Sequence, residues 1–222
     1  MSEPTVTLPT VPGGTGMPLL RSPLATVHSL LGADVGAEAG AEIVRSYGDV
    51  GAERTVIAEA IGVADISVRA KIDVRGDVDR VVSLFPADVI ARIATDWVLL
   101  LSPPGSVIDR VASMQTAAGP AAMVTDVTHL YAGFALCGPL LGEAVSRLSS
   151  WDPASLQPGM ATGAPIADVR AIVVRPERPA YLLEVYVATE FARYAWRAIV
   201  DVVQRLGGEP VGWDALRELG WR

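Results

Sequence analysis

Apolar and polar residues alternate along the segment Ile66–Arg75 (ISVRAKIDVR), and this alternation is the clearest pattern in the chain. A period of two with one apolar face is typical of an antiparallel strand whose other face is exposed to water. The sequence therefore predicts a half-exposed strand, which ends at Gly76. A second pattern, the wholly apolar run Trp97–Leu101 (WVLLL), predicts a strand that is buried on both faces.

Apolar residues at helical spacing predict several helices in the first half of the chain. Ser22–Leu31 is predicted as a short helix and Ala52–Ile61 as a second one. A third helix is indicated by apolar positions between Val107 and Met114. Between Val78 and Ala94 the pattern predicts the start of a helix followed by short strands around Pro86.

The second half of the chain predicts the order strand, helix, strand, strand, helix. This is the order of a split βαβ arrangement, as in ferredoxin-like folds. It predicts an α+β domain with helices on one face of a mostly antiparallel sheet. The predicted elements are the strand Ala132–Cys137, the helix Leu140–Leu148, the strands Val169–Arg175 and Tyr181–Val187, and a long helix capped by Thr189.

Composition places the chain among globular proteins and limits its partners. Half of its 222 residues are apolar, the mean hydropathy is +0.36 and the formal net charge is −7. The negative charge argues against binding to DNA, RNA or an anionic membrane, and no apolar run reaches the roughly 20 residues of a membrane span. Without a secretory signal, the expected location is cytoplasmic. We expect a flexible tail over Met1–Met17 and a single domain over 18–222, with a large apolar surface that faces another protein.

The usual catalytic and metal-binding motifs are missing, so the sequence nominates no catalytic residue and no metal ligand. There is no P-loop, no GxGxxG, no GxSxG and no HExxH motif. Cys137, the only cysteine, lies in an apolar strand and is interpreted as a small buried side chain rather than a reactive thiol. His28 lies on the apolar side of its helix and is interpreted as a semi-buried, hydrogen-bonded residue rather than a base. His129, beside Asp126, is interpreted as part of a hydrogen-bonded loop.

Glu184 is the polar residue of most interest. It shares a strand face with Leu182 and Tyr186, while the opposite face of the same strand is wholly apolar. A carboxylate among large side chains needs hydrogen-bond donors if it is buried. Glu184 is therefore either an acceptor for the N–H groups of a flat heterocycle or a solvated carboxylate on an exposed sheet face.

Five segments, in matching order, resemble the glycine-cleavage T-protein (aminomethyltransferase) family. Together they extend from Ser22 to Leu216 and so cover nearly the whole chain. The resemblance implies a T-protein-like folate-binding fold. The segments are Ser22-Pro23-Leu24 with His28 and Gly32-Ala33; Tyr47 and Glu53 with Gly62–Ser67 and Lys71–Gly76; Asp126–Thr128 with Ala135–Pro139; Leu183–Val187; and Pro210–Leu216.

Departures from the family pattern bear on function. No aspartate-bearing N-x-x-G-G-x-x-D-D stretch occurs between Gly76 and Trp97, and Leu216 stands where the family has arginine. The sequence ends where T-proteins continue into a C-terminal barrel, so we expect no barrel. The resemblance therefore implies no catalytic centre of the chain's own. It leaves Glu184 and Tyr47 as candidate folate-binding residues.

In its short length and without the barrel, this sequence is similar to the gamma subunit of heterotetrameric sarcosine oxidase. That resemblance implies a non-catalytic or assisting subunit of a folate-linked, flavin-dependent amine oxidase that acts on N-methylated amino acids such as sarcosine. The implied partners are the large subunits of that complex, which would carry the flavin. For this chain itself, the resemblance leaves tetrahydrofolate as the one cofactor that it could bind. Two alternatives remain: a free-standing tetrahydrofolate-dependent aminomethyl (one-carbon) transferase, and a small assembly module on the same scaffold.

Overall fold

The computed structural model of the chain describes residues 19–84, 89–105, 107–177, 179 and 181–221. The predicted tail Met1–Met17 and the predicted strand positions around Pro86 lie outside these residues. Helices and strands are mixed along the described chain, which confirms the α+β class.

The described residues form helices close to the predicted positions, and one further helix that was not predicted, over Trp213–Glu218. None of these helices is long and apolar enough to cross a membrane. They are α1 (Ala25–Leu30), α2 (Val50–Glu59), α3 (Val78–Leu84), α4 (Ile108–Ala118), α5 (Leu141–Leu148), α6 (Ala192–Arg205) and α7 (Trp213–Glu218).

The strands form two packed sheets and a separate hairpin. The hairpin joins β1 (Asp34–Glu38) to β2 (Ala41–Ser46). The other strands are β3 (Gly62–Asp65), β4 (Ala70–Gly76), β5 (Val89–Ala94), β6 (Trp97–Ser102), β7 (Ala122–Asp126), β8 (Tyr131–Cys137), β9 (Met160–Ile166), β10 (Val169–Arg175), β11 (Leu182–Ala188) and β12 (Glu209–Pro210).

The larger sheet has six strands in the order β12-β3-β8-β11-β10-β9. Its neighbouring strands are antiparallel except for the short pair β12–β3. Strands β8 and β10 run parallel with β11 between them, and α5 lies on the connection from β8 to β10, which confirms the split βαβ arrangement. The edge strand β9 was not predicted, because Gly163 and Pro165 are residues that strands disfavour and tolerate mainly at an edge.

The two sheets pack face to face, with helices on the outside. One face of the six-stranded sheet packs on α5 and α6 through residues such as Phe134, Val185 and Ile199. Its other face packs against the four-stranded sheet, whose strand order is β5-β6-β4-β7. Helices α3 and α4 cover the outer face of the smaller sheet. The space between the sheets is therefore closed on both sides by folded layers.

The prediction of a half-exposed strand over Ile66–Arg75 is wrong in two respects. Only Ala70–Gly76 forms the strand β4, because the chain turns before it. Most of the polar face is not exposed: Arg69 and Lys71 are both 0% exposed and Asp73 is 8% exposed, while Arg75 near the end of the strand is exposed. The apolar face of β4 packs on α3 and α4, so its polar face meets the other sheet. The alternation marks a polar interior rather than contact with solvent.

The predicted helix cap at Thr189 is also wrong. Helix α6 begins at Ala192, after the 3₁₀ turn Thr189–Phe191. The Thr189 hydroxyl instead donates to the carbonyl oxygen of His129, at 2.7 Å. The loop at His129 is therefore hydrogen-bonded, as predicted, but through the His129 carbonyl oxygen. The His129 residue is exposed. Threonine often caps helices, but the sequence pattern does not separate a preceding 3₁₀ turn from the helix.

Gly212 is expected not to tolerate a side chain. A Cβ atom at Gly212 would lie 1.8 Å from the carbonyl oxygen of Arg45. We expect Gly212→Ala to lower the free energy of unfolding by about 1–3 kcal/mol through overpacking, measured by urea denaturation. Gly142→Ala in α5 is the control, because no atom lies within 4 Å of the Cβ position there. It should be neutral or slightly stabilising, and an equal loss in both variants would contradict the argument.

Candidate functional site

Glu184 lies in the middle of β11 and points into the space between the two sheets. Its neighbours Leu183 and Val185 face the outer helices, whereas Leu182 and Tyr186 face the smaller sheet. Glu184 is 0% exposed. Of the two alternatives that the sequence leaves, the solvated carboxylate is therefore wrong. A carboxylate at this depth needs donors, since burying an unpaired charge is costly.

The chain itself supplies the donors for this carboxylate. The Arg69 guanidinium bonds to Oε1 of Glu184, and the Trp221 indole Nε1 donates to the same oxygen at 2.8 Å. The Tyr186 hydroxyl donates to Oε2 at 2.6 Å. Both carboxylate oxygens are thus hydrogen-bonded within the chain. We call Arg69, Glu184, Tyr186 and Trp221 the Glu184 network.

The charges in the Glu184 network are set by burial and by the ion pair. Burial raises the pKa of Tyr186 well above its usual value, and the neighbouring Glu184 raises it further, so the phenol stays protonated. Burial opposes the charge on Arg69, but Glu184 and Tyr186 keep the pKa of its guanidinium above the usual value. The network therefore holds an enclosed, charged pair with a neutral phenol beside it.

Lys71 lies beside this network with its side chain enclosed. Its Nζ donates to the carbonyl oxygens of Ser67 at 2.7 Å, Arg69 at 2.8 Å and Thr128 at 3.1 Å. Three carbonyl acceptors match the three N–H donors of an ammonium group. Burial lowers the pKa of Lys71 to about 7. Lys71 therefore links the turn before β4 to the loop before β8.

A second buried cluster is built around His28. The carboxylate of Asp65 bonds to His28 Nε2 at 2.7 Å, accepts the Ser22 hydroxyl, and accepts the Ser67 N–H at 2.8 Å. Because an ionised carboxylate only accepts, Nε2 carries the ring proton. Nδ1 is hydrogen-bonded to the Tyr47 hydroxyl, 2.7 Å away. We call Ser22, His28, Tyr47 and Asp65 the His28 network.

The pKa shifts in the His28 network keep its groups in these roles. Burial alone would raise the pKa of Asp65, but the hydrogen bonds from His28, Ser22 and Ser67 lower it below its usual value. Burial raises the pKa of Tyr47, and the carboxylate of Asp65 raises it further. The order Tyr–His–Asp is similar to a triad relay. Because burial holds the Tyr47 phenol neutral, its first member is not an activated nucleophile.

Two tryptophans from the end of the chain join the two networks. Trp213 Nε1 donates to the carbonyl oxygen of Asp65 at 2.8 Å. The Trp213 ring also lies edge-to-face against Trp221, with the ring centroids 4.9 Å apart. Glu53 accepts the N–H groups of Tyr47 at 2.5 Å and Gly212 at 2.8 Å. Helix α7 is therefore anchored to both networks.

The two candidate folate-binding residues lie in different networks. Glu184 belongs to the enclosed Glu184 network, and Tyr47 is half-buried in the His28 network. His28 is 1% exposed, deeper than the predicted semi-buried position, and hydrogen-bonded as interpreted. Cys137 is 3% exposed, in agreement with its interpretation as a small buried side chain, and burial raises its pKa to about 11. Asp126 is exposed and accepts one backbone N–H in a turn.

Sequence reasoning missed three residues that define the interior. The alternation in Ile66–Arg75 places Arg69 and Lys71 on a solvent face, and no pattern in the sequence marks Trp221. A signal for the first two was present. Trp97–Leu101 was correctly predicted to be buried on both faces, and this strand pairs directly with β4. A strand that is buried on both faces lies in a sheet with a packed layer on each side. The strand next to it, β4, is therefore covered on its polar face as well.

The described residues include no group of three His, Cys, Asp or Glu side chains placed to hold a metal ion. A surface cleft of about 470 Å³ is lined by Trp151, Arg175 and Tyr181, among others. The cleft contains no member of either network. Chemically, the interior offers an Arg–Glu ion pair, a hydrogen-bonded Tyr–His–Asp chain and a buried lysine, all bonded to groups of this chain.

Comparison with solved structures assigns the fold to the T-protein class. Aminomethyltransferase T of the glycine cleavage system from Bartonella henselae matches with a TM-score of 0.75 and 20% sequence identity. The match covers 90% of this chain and 62% of that chain. This chain therefore spans less than two thirds of that protein's length, and the T-protein-like fold is confirmed.

A chain of heterotetrameric sarcosine oxidase from Corynebacterium sp. U-96, in complex with pyrrole 2-carboxylate, has the same fold. It matches with a TM-score of 0.62 and 12% identity, over 85% of this chain and 96% of that chain. The two chains are thus similar in length as well as in fold. No protein-family profile and no curated protein sequence matches this chain.

Proposed function

We propose that this chain is a non-catalytic or assisting subunit, of the gamma type, in a folate-linked, flavin-dependent amine oxidase. The substrates would be N-methylated amino acids such as sarcosine. The partners would be the large subunits of the complex, which would hold the flavin, and the complex would be cytoplasmic. The observation that carries the proposal is that the likeness extends over 96% of a chain from a heterotetrameric sarcosine oxidase.

The closed interior supports the non-catalytic part of the proposal. Tetrahydrofolate would need an open acceptor for the N–H groups of its pterin ring. Glu184, the candidate for that role, is already bonded to Arg69, Tyr186 and Trp221. The residues in place do not fit the cofactor while Trp221 occupies the site, so we derive no catalytic step through it.

The role left to this chain is to shape and cover the complex. A flavin on a partner subunit would accept the two electrons and a proton from the N-methyl amine. Large apolar side chains at the surface, including Leu30, Ile108 and Tyr194, are more than half exposed. Exposed apolar area favours burial against another protein. These side chains lie on helices α1, α4 and α6, where partner subunits would cover them.

The subunit proposal is tested by purifying the full-length chain, with an affinity tag, from the cells that encode it. We expect a stoichiometric complex that shows a flavin absorbance spectrum. The complex should oxidise sarcosine with release of formaldehyde and hydrogen peroxide, because dioxygen reoxidises the flavin. Glycine in place of sarcosine is the control substrate, since it has no N-methyl group and should release no formaldehyde.

Two results would refute the subunit proposal. One is a chain that is recovered as a stable monomer without any flavin-containing partner. The other is a flavin-containing complex that oxidises neither sarcosine nor any other N-methylated amino acid.

The second candidate, a free-standing tetrahydrofolate-dependent aminomethyltransferase, is favoured by the TM-score of 0.75 and the 90% coverage of this chain. This function requires direct binding of tetrahydrofolate to the chain. The binding is measured by titration, with the change in tryptophan fluorescence as the signal. Saturable micromolar binding that Glu184→Gln weakens about tenfold, or 1.4 kcal/mol, would favour it. Absence of binding by the folded chain would remove it.

A further inference from the structure

The surface cleft beside α5 lies on the helix-covered face of the six-stranded sheet. Its volume, about 470 Å³, is in the range of small-molecule sites. The buried residues Leu141 and Leu183 give it an apolar floor. Leu183 faces the helices, whereas the next residue of β11, Glu184, points into the space between the sheets. The sheet therefore separates this cleft from the Glu184 network.

Two aromatic residues and one arginine lie around this floor. Trp151 is half-buried, packs on the outer helices and lines the cleft. Tyr181 lines it from the start of β11, and Arg175, the last residue of β10, contributes a guanidinium. An apolar floor with aromatic rings and one cation suits a flat apolar molecule that carries a negative group.

The Arg175 guanidinium is half-used by its own chain. Its Nη1 donates to the carbonyl oxygen of Leu156 at 2.7 Å, which fixes the side chain in place. Arg175 forms no ion pair within the described residues. The edge formed by Nε and Nη2 is left, and such an edge holds a carboxylate by two parallel hydrogen bonds.

Tyr181 has a strained backbone at the edge of the cleft. Its φ of +59° lies in the left-handed region, which is an outlier for a bulky residue. Its carbonyl oxygen accepts the Gly138 N–H at 3.0 Å, which holds the backbone in this conformation. The residue is 64% exposed, so packing of its ring does not offset the strain. Strained residues of this kind cluster at ligand sites.

We propose that this cleft binds a small aromatic carboxylate. Arg175 pairs with the carboxylate, and Trp151 and Tyr181 contact the ring. Asp152, the other charged residue that lines the cleft, is exposed, and its Oδ1 is bonded to the Ala154 N–H at 2.9 Å. Arg175 therefore sets the charge of the ligand. This inference does not rest on the subunit proposal, because it concerns a different surface and a different ligand.

The experiment is a calorimetric titration of the full-length chain with 2-naphthylacetate. We expect saturable binding with a Kd below about 1 mM. The matching amide, 2-naphthylacetamide, has the same ring without the charge and should bind at least about tenfold more weakly. Arg175→Gln should weaken binding of the acid to the level of the amide. Gly142→Trp should abolish binding, because Gly142 lines the cleft and has no atom within 4 Å of its Cβ position.

Tyr181→Gly should change stability and binding in opposite directions. Glycine adopts the left-handed conformation without strain, so the Tm should rise. Loss of the ring should weaken 2-naphthylacetate binding at least about threefold. Asp168→Gly is the matched control: Asp168 is exposed, has a φ of +61° and lies at the opposite end of β10 from Arg175. It should also raise the Tm but leave the Kd unchanged. A purely structural Tyr181 would behave like Asp168.

Asp152→Asn tests the charge of the ligand. The amide oxygen keeps the bond to the Ala154 N–H, and removal of a like charge should tighten binding of the acid. Weaker binding would indicate a ligand with a cationic group and overturn the inference. So would no saturable binding to the wild-type chain, equal binding of acid and amide, or full affinity in a folded Arg175→Gln chain. If Arg175→Gln does not fold, full affinity in Gly142→Trp overturns it.

Discussion

Replacement of Arg69 by methionine is expected to lower the free energy of unfolding by about 3–5 kcal/mol, the usual cost of removing one partner of a buried ion pair. Arg69 and Glu184 are both 0% exposed. Methionine is similar in length to the arginine stem but has no charge, so the Glu184 carboxylate would keep only its Tyr186 and Trp221 donors. The loss is measured by equilibrium urea denaturation of the purified chain.

Two controls separate the ion pair from general effects of the substitution. Arg21 pairs with Glu42 at 3.0 Å but is 64% exposed, and Arg21→Met should cost at most about 1 kcal/mol. The double variant Arg69→Met/Glu184→Leu should be more stable than Arg69→Met alone, because no buried charge is left without its partner. A loss of under about 1 kcal/mol for Arg69→Met would contradict the argument.

The fold was predictable from the sequence where a pattern of apolar and polar residues is compatible with only one structure. Split βαβ order follows from local periodicity over the second half of the chain, and Cys137 was correctly placed in a buried strand. The alternation in Ile66–Arg75 has two meanings, since a polar face can contact water or a polar interior. Only the packing of the six-stranded sheet onto β4 decides between them, and this packing joins segments far apart in the sequence.

The candidate site shows the same division between local and long-range information. The need of Glu184 for donors was predictable from its strand face. The identity of those donors was not, because Arg69 is 115 residues away and Trp221 is 37 residues away. Tyr47 and His28 were each singled out separately, and their direct hydrogen bond follows only from the tertiary fold.

The interior of this protein therefore contains defined polar contacts, but these contacts are made within the chain and leave no open site. Its polar groups are of the types that enzymes use, but each of the carboxylates Glu53, Asp65 and Glu184 is bonded to donors from its own chain. Buried polar groups that are hydrogen-bonded to one another rigidify a fold. In this chain they fix the position of helix α7 through Trp213, and the position of Trp221, which follows the helix.

Replacement of Asp65 by asparagine is expected to lower the free energy of unfolding at pH 7 by about 2–3 kcal/mol, because charge-assisted hydrogen bonds are lost in a buried site. In one orientation the amide NH₂ group would face His28 Nε2–H and the Ser22 hydroxyl, and in the other it would face the Ser67 N–H, so a donor meets a donor in both. The folded-state pKa of Asp65 lies below its usual value, so its contribution is fully present above the unfolded pKa, near 4. As the pH falls through the folded pKa, that contribution is lost.

The difference in stability between the wild-type chain and Asp65→Asn should therefore shrink as the pH is lowered from 7 toward 3, followed by urea denaturation at each pH. Burial raises the pKa of Glu53, which acts in the opposite direction, but Glu53 is present in both chains and cancels in the difference. Asp126→Asn is the matched control, because Asp126 is exposed and accepts one N–H at 2.9 Å. Its effect should stay within about 0.5 kcal/mol at neutral pH. A gap between wild type and Asp65→Asn that stays constant down to acid pH would show that the charge of Asp65 contributes nothing to the stability of the His28 network.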